Sequence, residues 1–390
     1  MNKFQGRLES LDSLRGLACM GIVIFHVQGI NQLALAKWPM FLLSQLGMGV
    51  PFFFMLSSFS ILYSLRNITL SQSAIRNYFL RRFFRLAPLY YCMILVYCVF
   101  YYCNFKTIVT LQEVILNLTF SFSFSTYNYQ GIVWAGWSIG IEFLMYLILP
   151  VFFSLASDVK SGLLLCILCL IFGTLFSNQY SKVSYVNSSY NYMNLMVMLP
   201  FFAIGIFAFR LFERNIFSGY KVIQLFLFNL LILLILLYCS YTIISKNSGI
   251  IYKYLSNYRL LFYSWAVFLL FVLIMQLYTP VKLLHNSFFA FLGKISYSIY
   301  LVHPLLIYFL KAPYAFLYSH INSSSFAFLL SFLMTCLILI PLSYLAYRFI
   351  ETPGINLGKS VIRKFQSGII PVGKSPASLI QEHEHVKNEQ

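Results

Sequence analysis

The segment LDSLRGLACMGIVIFHV, residues 11–27, decides how the rest of this sequence is interpreted. It begins with the charged residues Asp12 and Arg15, becomes apolar, and contains His26 near its end. Arg15 and His26 are about three helical turns apart, so both side chains fall on nearly the same helix face, with roughly 16 Å between their backbones. Ionisable groups inside a bilayer are costly and usually mark a function. The alternative is that Arg15 snorkels to lipid phosphate and His26 forms an interhelical hydrogen bond.

The composition predicts a polytopic membrane protein. Hydrophobic residues make up 60% of the 390 residues and charged residues only 9%, which is far outside the range of soluble domains. The net charge of +17 does not indicate nucleic-acid binding, because the basic residues stand mostly at the ends of apolar segments. There they set the topology and face anionic lipid head groups.

Ten stretches are apolar enough to cross the hydrocarbon core, for which about 20 residues are needed. They are residues 11–29, 40–63, 83–103, 139–157, 161–177, 193–212, 221–244, 260–278, 287–310 and 326–349. The predicted fold is an all-α bundle of about ten transmembrane helices. An even number places both termini on one side, where 19 of the basic residues fall, against 7 on the other side. The positive-inside rule therefore predicts that both termini are cytoplasmic.

The predicted organisation is one transmembrane domain, residues 8–353, followed by a disordered cytoplasmic tail, residues 354–390, because the chain turns polar there. The long connection 104–137 is predicted on the non-cytoplasmic side, as a re-entrant lid or as part of an acceptor surface. The 8 cysteines stand mostly in apolar runs and are interpreted as small buried hydrophobic residues. No metal site is predicted.

The third span opens with RRFFRLAPLYY, residues 81–91. Arg82 and Arg85 are three positions apart, so they share a helix face and can act together on one phosphate. The alternative is that these arginines only set the topology.

Two later spans carry polar residues at helical spacing. In WAGWSIGIEFLMY, residues 134–146, Ser138, Glu142 and Tyr146 stack on one face. In LGKISYSIYLVHPLL, residues 292–306, Ser296, Tyr300 and His303 do the same, and Pro304 is expected to kink the helix.

The depth of these residues divides them into two groups. With the first and ninth spans running outward and the fourth inward, His26, Glu142 and His303 are predicted to lie in the outer part of the membrane. Arg15, Arg82 and Arg85 are predicted at the cytoplasmic face.

Together these motifs resemble the membrane acyltransferase-3 family of integral-membrane O-acyltransferases, in its stand-alone form. The resemblance is carried, in the family's order, by LDSLRGLACMGIVIFH, RRFFRLAP, WSIGIEFLMYLILP, GKISYSIYLVHPLL and RFIET. Ser13 stands where the family's first motif commonly has glycine.

The resemblance implies transfer of an acyl group, usually acetyl, from cytoplasmic acyl-CoA to a hydroxyl of a cell-surface polysaccharide or its lipid-linked precursor. Lipopolysaccharide O-antigen is one such acceptor, and the implied location is the bacterial inner membrane. Acetyl-CoA is then a donor substrate, and no permanently bound cofactor is expected.

The candidate site residues follow from this implied reaction. His26 is the candidate general base that deprotonates the acceptor hydroxyl, with Glu142 orienting or pairing with it; a transient acyl-histidine is the alternative. Arg15, Arg82 and Arg85 are candidates for binding the CoA phosphates or polarising the thioester carbonyl. Supporting or acceptor-site roles are assigned to Asp12, Trp137, Ser138, Tyr146, Ser296, Tyr300 and His303.

A transporter or flippase for a lipid-linked or anionic solute is the alternative function, because intramembrane Arg, His and Glu also suit a transport pathway. Many transporters are built from internal repeats, and this sequence shows none. The absence of repeats and the order of the motifs favour the acyltransferase.

Overall fold

In a computed structural model of the chain, the segment with Arg15 and His26 forms one helix, α1 (Glu9–Ile30). The structure describes residues 9–66, 71–180, 190, 192–244, 258–281 and 286–367. Within these residues the regular elements are helical and no strand is present. The all-α prediction is therefore confirmed.

The remaining helices follow one another along the chain. In order they are α2 (Lys37–Ser44), α3 (Gly49–Leu65), α4 (Gln72–Phe105), α5 (Leu111–Leu118), α6 (Trp137–Leu155), α7 (Val159–Tyr180), α8 (Leu195–Glu213), α9 (Val222–Ile244), α10 (Tyr258–Tyr278), α11 (Ser287–Lys294), α12 (Ser296–Phe309), α13 (Lys311–His320), α14 (Ser324–Ala346) and α15 (Thr352–Gln366). A 3₁₀ turn, Gln45–Met48, joins α2 to α3, and a π turn, Tyr347–Glu351, joins α14 to α15.

The number of membrane-spanning helices agrees with the prediction. Among the described residues, nine helices are long and apolar enough to cross a membrane, or ten if the bent pair α11 and α12 counts as one span. The protein is therefore a multi-pass membrane protein. The side on which the termini lie stays a prediction.

Helix α4 begins earlier than predicted, and this changes where the arginines lie. It has 34 residues, whereas the predicted span began at residue 83. Ser71 caps its N-terminus by accepting a hydrogen bond from the backbone of Ala74, and the polar residues that follow contain no helix breaker. Arg82 and Arg85 therefore lie three to four turns inside a long helix, not at its start.

The ninth predicted span is broken, and the break is not at the proline. Helices α11 and α12 meet at 73°, whereas Pro304 lies inside α12. The break falls where α11 crosses α1 with almost no separation, since a Cβ on Gly293 would come within 1.8 Å of the Asp12 carbonyl oxygen. Glycine permits this backbone approach, as small residues commonly do between membrane helices.

The prediction of a disordered tail from residue 354 is wrong for its first part. Helix α15 extends to Gln366 and packs against the first half of α4. Its buried positions Gly354, Gly358 and Ile362 recur at helical spacing, which the polar composition of the segment obscures. The rest of the predicted tail, from residue 368, lies outside the described residues.

Candidate active site

The two intramembrane histidines are hydrogen-bonded to each other. Nε2 of His303 lies 2.9 Å from Nδ1 of His26, and the ring centroids are 4.9 Å apart. The side chain of His303 is fully buried, and its Nδ1 lies 3.2 Å from the carbonyl oxygen of Ile299. The sequence placed both histidines in one region, but it did not predict that they are directly bonded.

The partners of His303 determine the tautomer of both rings when both are neutral. A carbonyl oxygen only accepts, so Nδ1 of His303 must carry the proton that it donates to Ile299. Nε2 of His303 is then an acceptor, and Nδ1–H of His26 is its donor. This places the available lone pair of the His26 ring on its Nε2. A proton acceptor held in this way has the arrangement that a general base requires.

His26 lines a cavity of about 390 Å³ whose walls are mostly apolar and aromatic. Its volume is within the range of small-molecule sites, which also combine an apolar wall with a few polar groups. Trp137, which was predicted to have a supporting or acceptor-site role, lines the cavity and packs against Tyr192. The wall also includes Ile22, Phe25, Gln45, Met48, Val50, Phe262, Trp265 and Tyr300.

A second and smaller cavity, of about 60 Å³, lies beside the first and is more polar. Arg15, Arg85 and Glu142 line it, together with Ser57, Ser138, Ser296 and Tyr300. Val50 and Tyr300 line both cavities. We call the first the histidine cavity and the second the arginine cavity.

Glu142 does not pair with His26, which corrects the predicted partnership. Its Oε1 accepts hydrogen bonds from Ser57, at 2.7 Å, and from the Tyr146 hydroxyl. It also attracts Arg15 and Arg85 electrostatically. Glu142 is half-buried, and a carboxylate removed from water is costly unless donors and cations surround it; these contacts place Glu142 in the arginine cavity. Any role in the reaction stays a prediction.

Arg15 is fixed from two sides. One guanidinium nitrogen donates to the Ser60 hydroxyl at 2.9 Å, and another lies 3.5 Å from Asp12, one turn earlier. Asp12 is itself buried. The predicted supporting role of Asp12 therefore has a geometric basis, since it holds the arginine in position beside the cavity.

Ser138 and Tyr300 connect the start of α6 to α12 at the junction of the two cavities. The Ser138 hydroxyl donates to the Tyr300 oxygen at 2.7 Å, and the Tyr300 hydroxyl donates to the Ala135 carbonyl at 3.1 Å. Ala135 has φ of +64°, a conformation that costs a non-glycine residue free energy and occurs mainly where surrounding contacts enforce it. Ser296 is also buried at this junction, and its hydroxyl donates to the Gly293 carbonyl.

Arg82 and Arg85 line a third cavity, which lies between α4 and α15. The two arginines therefore face one cavity, and their joint action on a phosphate stays a prediction. Arg85 also lines the arginine cavity, so it belongs to both.

No cluster of three or more metal-binding side chains exists in the described part of the chain. The cysteines there are free, and Cys19, Cys166 and Cys169 are buried.

Sequence reasoning missed Ser57 and Ser60, which hold Glu142 and Arg15. Both belong to LSSFS, residues 56–60, a polar interruption in an otherwise apolar span. Polar residues inside a span commonly bond across helices, so this interruption was the available signal. Glu351 belongs to the RFIET motif, for which the sequence predicted no role; it is buried and accepts a hydrogen bond from Ser298 at 2.8 Å.

The fold and the cavities define a class: a multi-pass helical membrane protein with ionisable residues around adjoining internal cavities. Residues 8–348 match the acyltransferase-3 family model, described as an acyltransferase domain. The chain belongs to this family of membrane acyltransferases, and the predicted resemblance is confirmed.

A viral relative supports the same assignment. The chain is 29% identical over 309 residues to the protein of Acidianus two-tailed virus named "Putative acetyltransferase ORF330", covering 75% of this chain and 81% of the relative. No solved structure matches the chain.

Proposed function

We propose that this protein is an O-acyltransferase that moves an acyl group, most simply acetyl, from acyl-CoA to a hydroxyl of a cell-surface glycan or its lipid-linked precursor. The main support for the proposal is that one helix, α1, lines both cavities. Arg15 lines one and His26 the other, and Val50 and Tyr300 line both.

The arginine cavity suits the phosphorylated donor, and the histidine cavity suits the acceptor. Arg15 and Arg85 provide cations for a phosphorylated donor, whereas His26 provides a proton acceptor inside a mostly apolar wall. The pantetheine arm of CoA is long and uncharged, so it suits the region between the two cavities, which Val50 and Tyr300 line from both sides. The arginine cavity has room for only a few water molecules at 60 Å³, so side chains at the junction must move when the donor enters.

In the proposed reaction, Nε2 of His26 takes the proton of the acceptor hydroxyl while the oxygen attacks the thioester carbonyl carbon. The tetrahedral intermediate collapses by breaking the carbon–sulfur bond. His26 returns its proton to the leaving thiolate, which gives the acyl ester and free CoA. His303 acts by holding the ring of His26 in the required tautomer.

The aromatic wall favours a sugar or a lipid-linked sugar as acceptor. Trp137, Tyr192, Phe262 and Trp265 present flat apolar rings around the space beside His26. Tyr and Trp rings combine an apolar body with a polar group, which suits a ligand with both hydroxyl groups and apolar faces.

The donor is tested with purified protein in lipid nanodiscs and radiolabelled acetyl-CoA. Envelope glycan from cells that lack the gene serves as acceptor, and release of free CoA and labelling of the glycan are measured together. We expect both to require the protein and to proceed in equal amounts. Glycan translocation by the protein in sealed liposomes, without acetylation, would instead support the transporter.

The orientation is tested with reporter fusions after Lys106, which follows α4, and after Ser367, which follows α15. With both termini in the cytoplasm of a bacterial inner membrane, the two fusions report opposite sides. The same side for both would contradict the proposed topology.

A further inference from the structure

Helix α15 packs closely against α4, although it lies beyond the family-matched residues 8–348. A Cβ on Gly354 would come within 2.4 Å of the Pro88 ring, and one on Gly358 within 2.6 Å of Phe84. Near its end, the guanidinium of Arg76 lies over the Phe365 ring at 4.4 Å. The helix is thus held against the first half of α4 along its length.

The space between α15 and α4 is a basic groove of about 490 Å³. Arg81, Arg82 and Arg85 line it from α4, and Lys359 and Arg363 line it from α15. No Asp or Glu is among the described lining residues. Five cations that share one groove without a lining carboxylate repel one another, so the groove is poised to bind an anion.

The partners of these cations support that conclusion. Within the described chain, none of the five forms an ion pair with a carboxylate. The Nε of Arg82 is buried and has no hydrogen-bond partner there. The carboxylates of Glu351 and Glu142 attract Arg85 from outside the groove, and neither of them lines it. A buried donor without a partner is costly, which indicates a ligand that supplies the acceptor.

We propose that this groove binds the phosphorylated nucleotide of acyl-CoA, with Lys359 and Arg363 of α15 recognising its 3′-phosphate. The inference rests on the proposed acyl-CoA donor and identifies residues that the family-matched region does not contain. Arg85 lines both the groove and the arginine cavity, so the diphosphate, from which the pantetheine arm leaves, is assigned to Arg82 and Arg85.

Charge favours CoA over a phospholipid head group as the occupant. CoA carries two diphosphate phosphorus atoms and one phosphate monoester, roughly four negative charges near neutral pH. A head group such as that of phosphatidylglycerol carries one, which leaves most of the five cations uncompensated. Both ligands share the phosphate group, so the experiment must separate them.

The experiment compares the binding of acetyl-CoA and of 3′-dephospho-acetyl-CoA to the protein in zwitterionic nanodiscs. The variant is Lys359→Gln with Arg363→Gln. The control is Lys364→Gln with Arg214→Gln, which removes the same two charge types from exposed positions outside the groove. Unfolding temperatures without ligand verify that both proteins fold.

Wild type and control should bind acetyl-CoA about tenfold to a hundredfold more tightly than the dephospho compound, since a charged hydrogen-bonded contact has that effect. The Lys359 and Arg363 variant should lose this discrimination and bind the dephospho compound as the wild type does. Discrimination that survives in the variant would overturn the assignment of the 3′-phosphate, whereas the proposed function would stand.

A lipid site is distinguished from a CoA site by repeating the binding assay in nanodiscs that contain phosphatidylglycerol. If the variant loses enrichment of that lipid and keeps its preference for acetyl-CoA, the groove is a lipid site and the proposal is wrong. If wild type binds neither CoA compound, the proposed donor fails and this inference fails with it.

Discussion

The histidine cavity and the arginine cavity are neighbours, yet their polar side chains are stabilised in different ways. Arg15, Arg85 and Glu142 meet around a space of about 60 Å³, with cations and a carboxylate that compensate one another. His26 faces a space of about 390 Å³ with mostly apolar walls, and its polar partner is a second histidine.

This difference agrees with the proposed roles, in which the arginine cavity binds the charged donor and the histidine cavity holds the general base. Fixed charges in a low-dielectric region must be compensated, and the arginine cavity provides that compensation. The proposed general base needs an available lone pair and a fixed ring, and the hydrogen bond from His26 to His303 fixes the ring and its tautomer. Substitutions in the two cavities should therefore have different signatures.

The largest expected effect is on turnover in His26→Gln. Glutamine keeps the approximate size and hydrogen-bonding ability but cannot accept and return a proton as imidazole does, so we expect turnover to fall by about 10²–10⁴. Binding of acetyl-CoA should be unchanged because the cations remain. Turnover and donor binding are measured at matched protein levels in nanodiscs.

His320→Gln is the matched control, since His320 is exposed at the end of α13. It should retain the activity of the wild type. Near wild-type turnover in His26→Gln would remove the proposed mechanism while leaving the family assignment intact.

The next effect is on stability, in Glu142→Gln. Among the described residues that line the arginine cavity, this change removes the one carboxylate. Removing one partner of a buried charged group costs about 3–5 kcal/mol; because Glu142 is only half-buried and Asp12 remains beside Arg15, we expect about 2–3 kcal/mol. Thermal unfolding in detergent measures the loss.

Glu213→Gln is the control, since Glu213 pairs with Arg210 but its side chain is 44% exposed. Its cost should be at most about 1 kcal/mol. If Glu142→Gln instead reduced turnover without lowering the unfolding temperature, Glu142 would act in the chemistry rather than as a counter-charge.

A smaller effect is expected for His303→Gln, about tenfold in turnover. The glutamine carbonyl can still accept the hydrogen bond from Nδ1–H of His26, so the tautomer is retained with less precise geometry. His303→Leu cannot accept it and should lose about a further tenfold. Equal losses in His303→Gln and His26→Gln would show that the two rings act as one catalytic unit.

The smallest effect is expected for Tyr146→Phe. It removes one of the two hydroxyl donors to Glu142 and leaves Ser57 in place, so the free energy of unfolding should fall by about 1 kcal/mol. Adding Ser57→Ala should cost more than the sum of the single changes, because the carboxylate then loses both donors. An additive result would show that the two hydroxyls act independently.

Helical spacing predicted which side chains share a face, and the structure agrees where the contacts are local. Arg82 and Arg85 line one groove, and Glu142 and Tyr146 are bonded to each other. Spacing could not predict the partners that Glu142 finds in other helices. One of them is Ser57, which lies in α3 and is distant in sequence.

The sequence alone predicted the class of the protein, the approximate number of spans and the candidate site residues. These follow from local physics: apolar length, helical periodicity and the cost of placing a charge in lipid. Only the packing of the helices shows that His26 is hydrogen-bonded to His303, that Glu142 lines the same cavity as Arg15 and Arg85, and that α15 forms one side of a basic groove. Each depends on how separate helices pack, and backbone approaches such as that of Gly293 to Asp12 are set by the whole bundle rather than by any one segment.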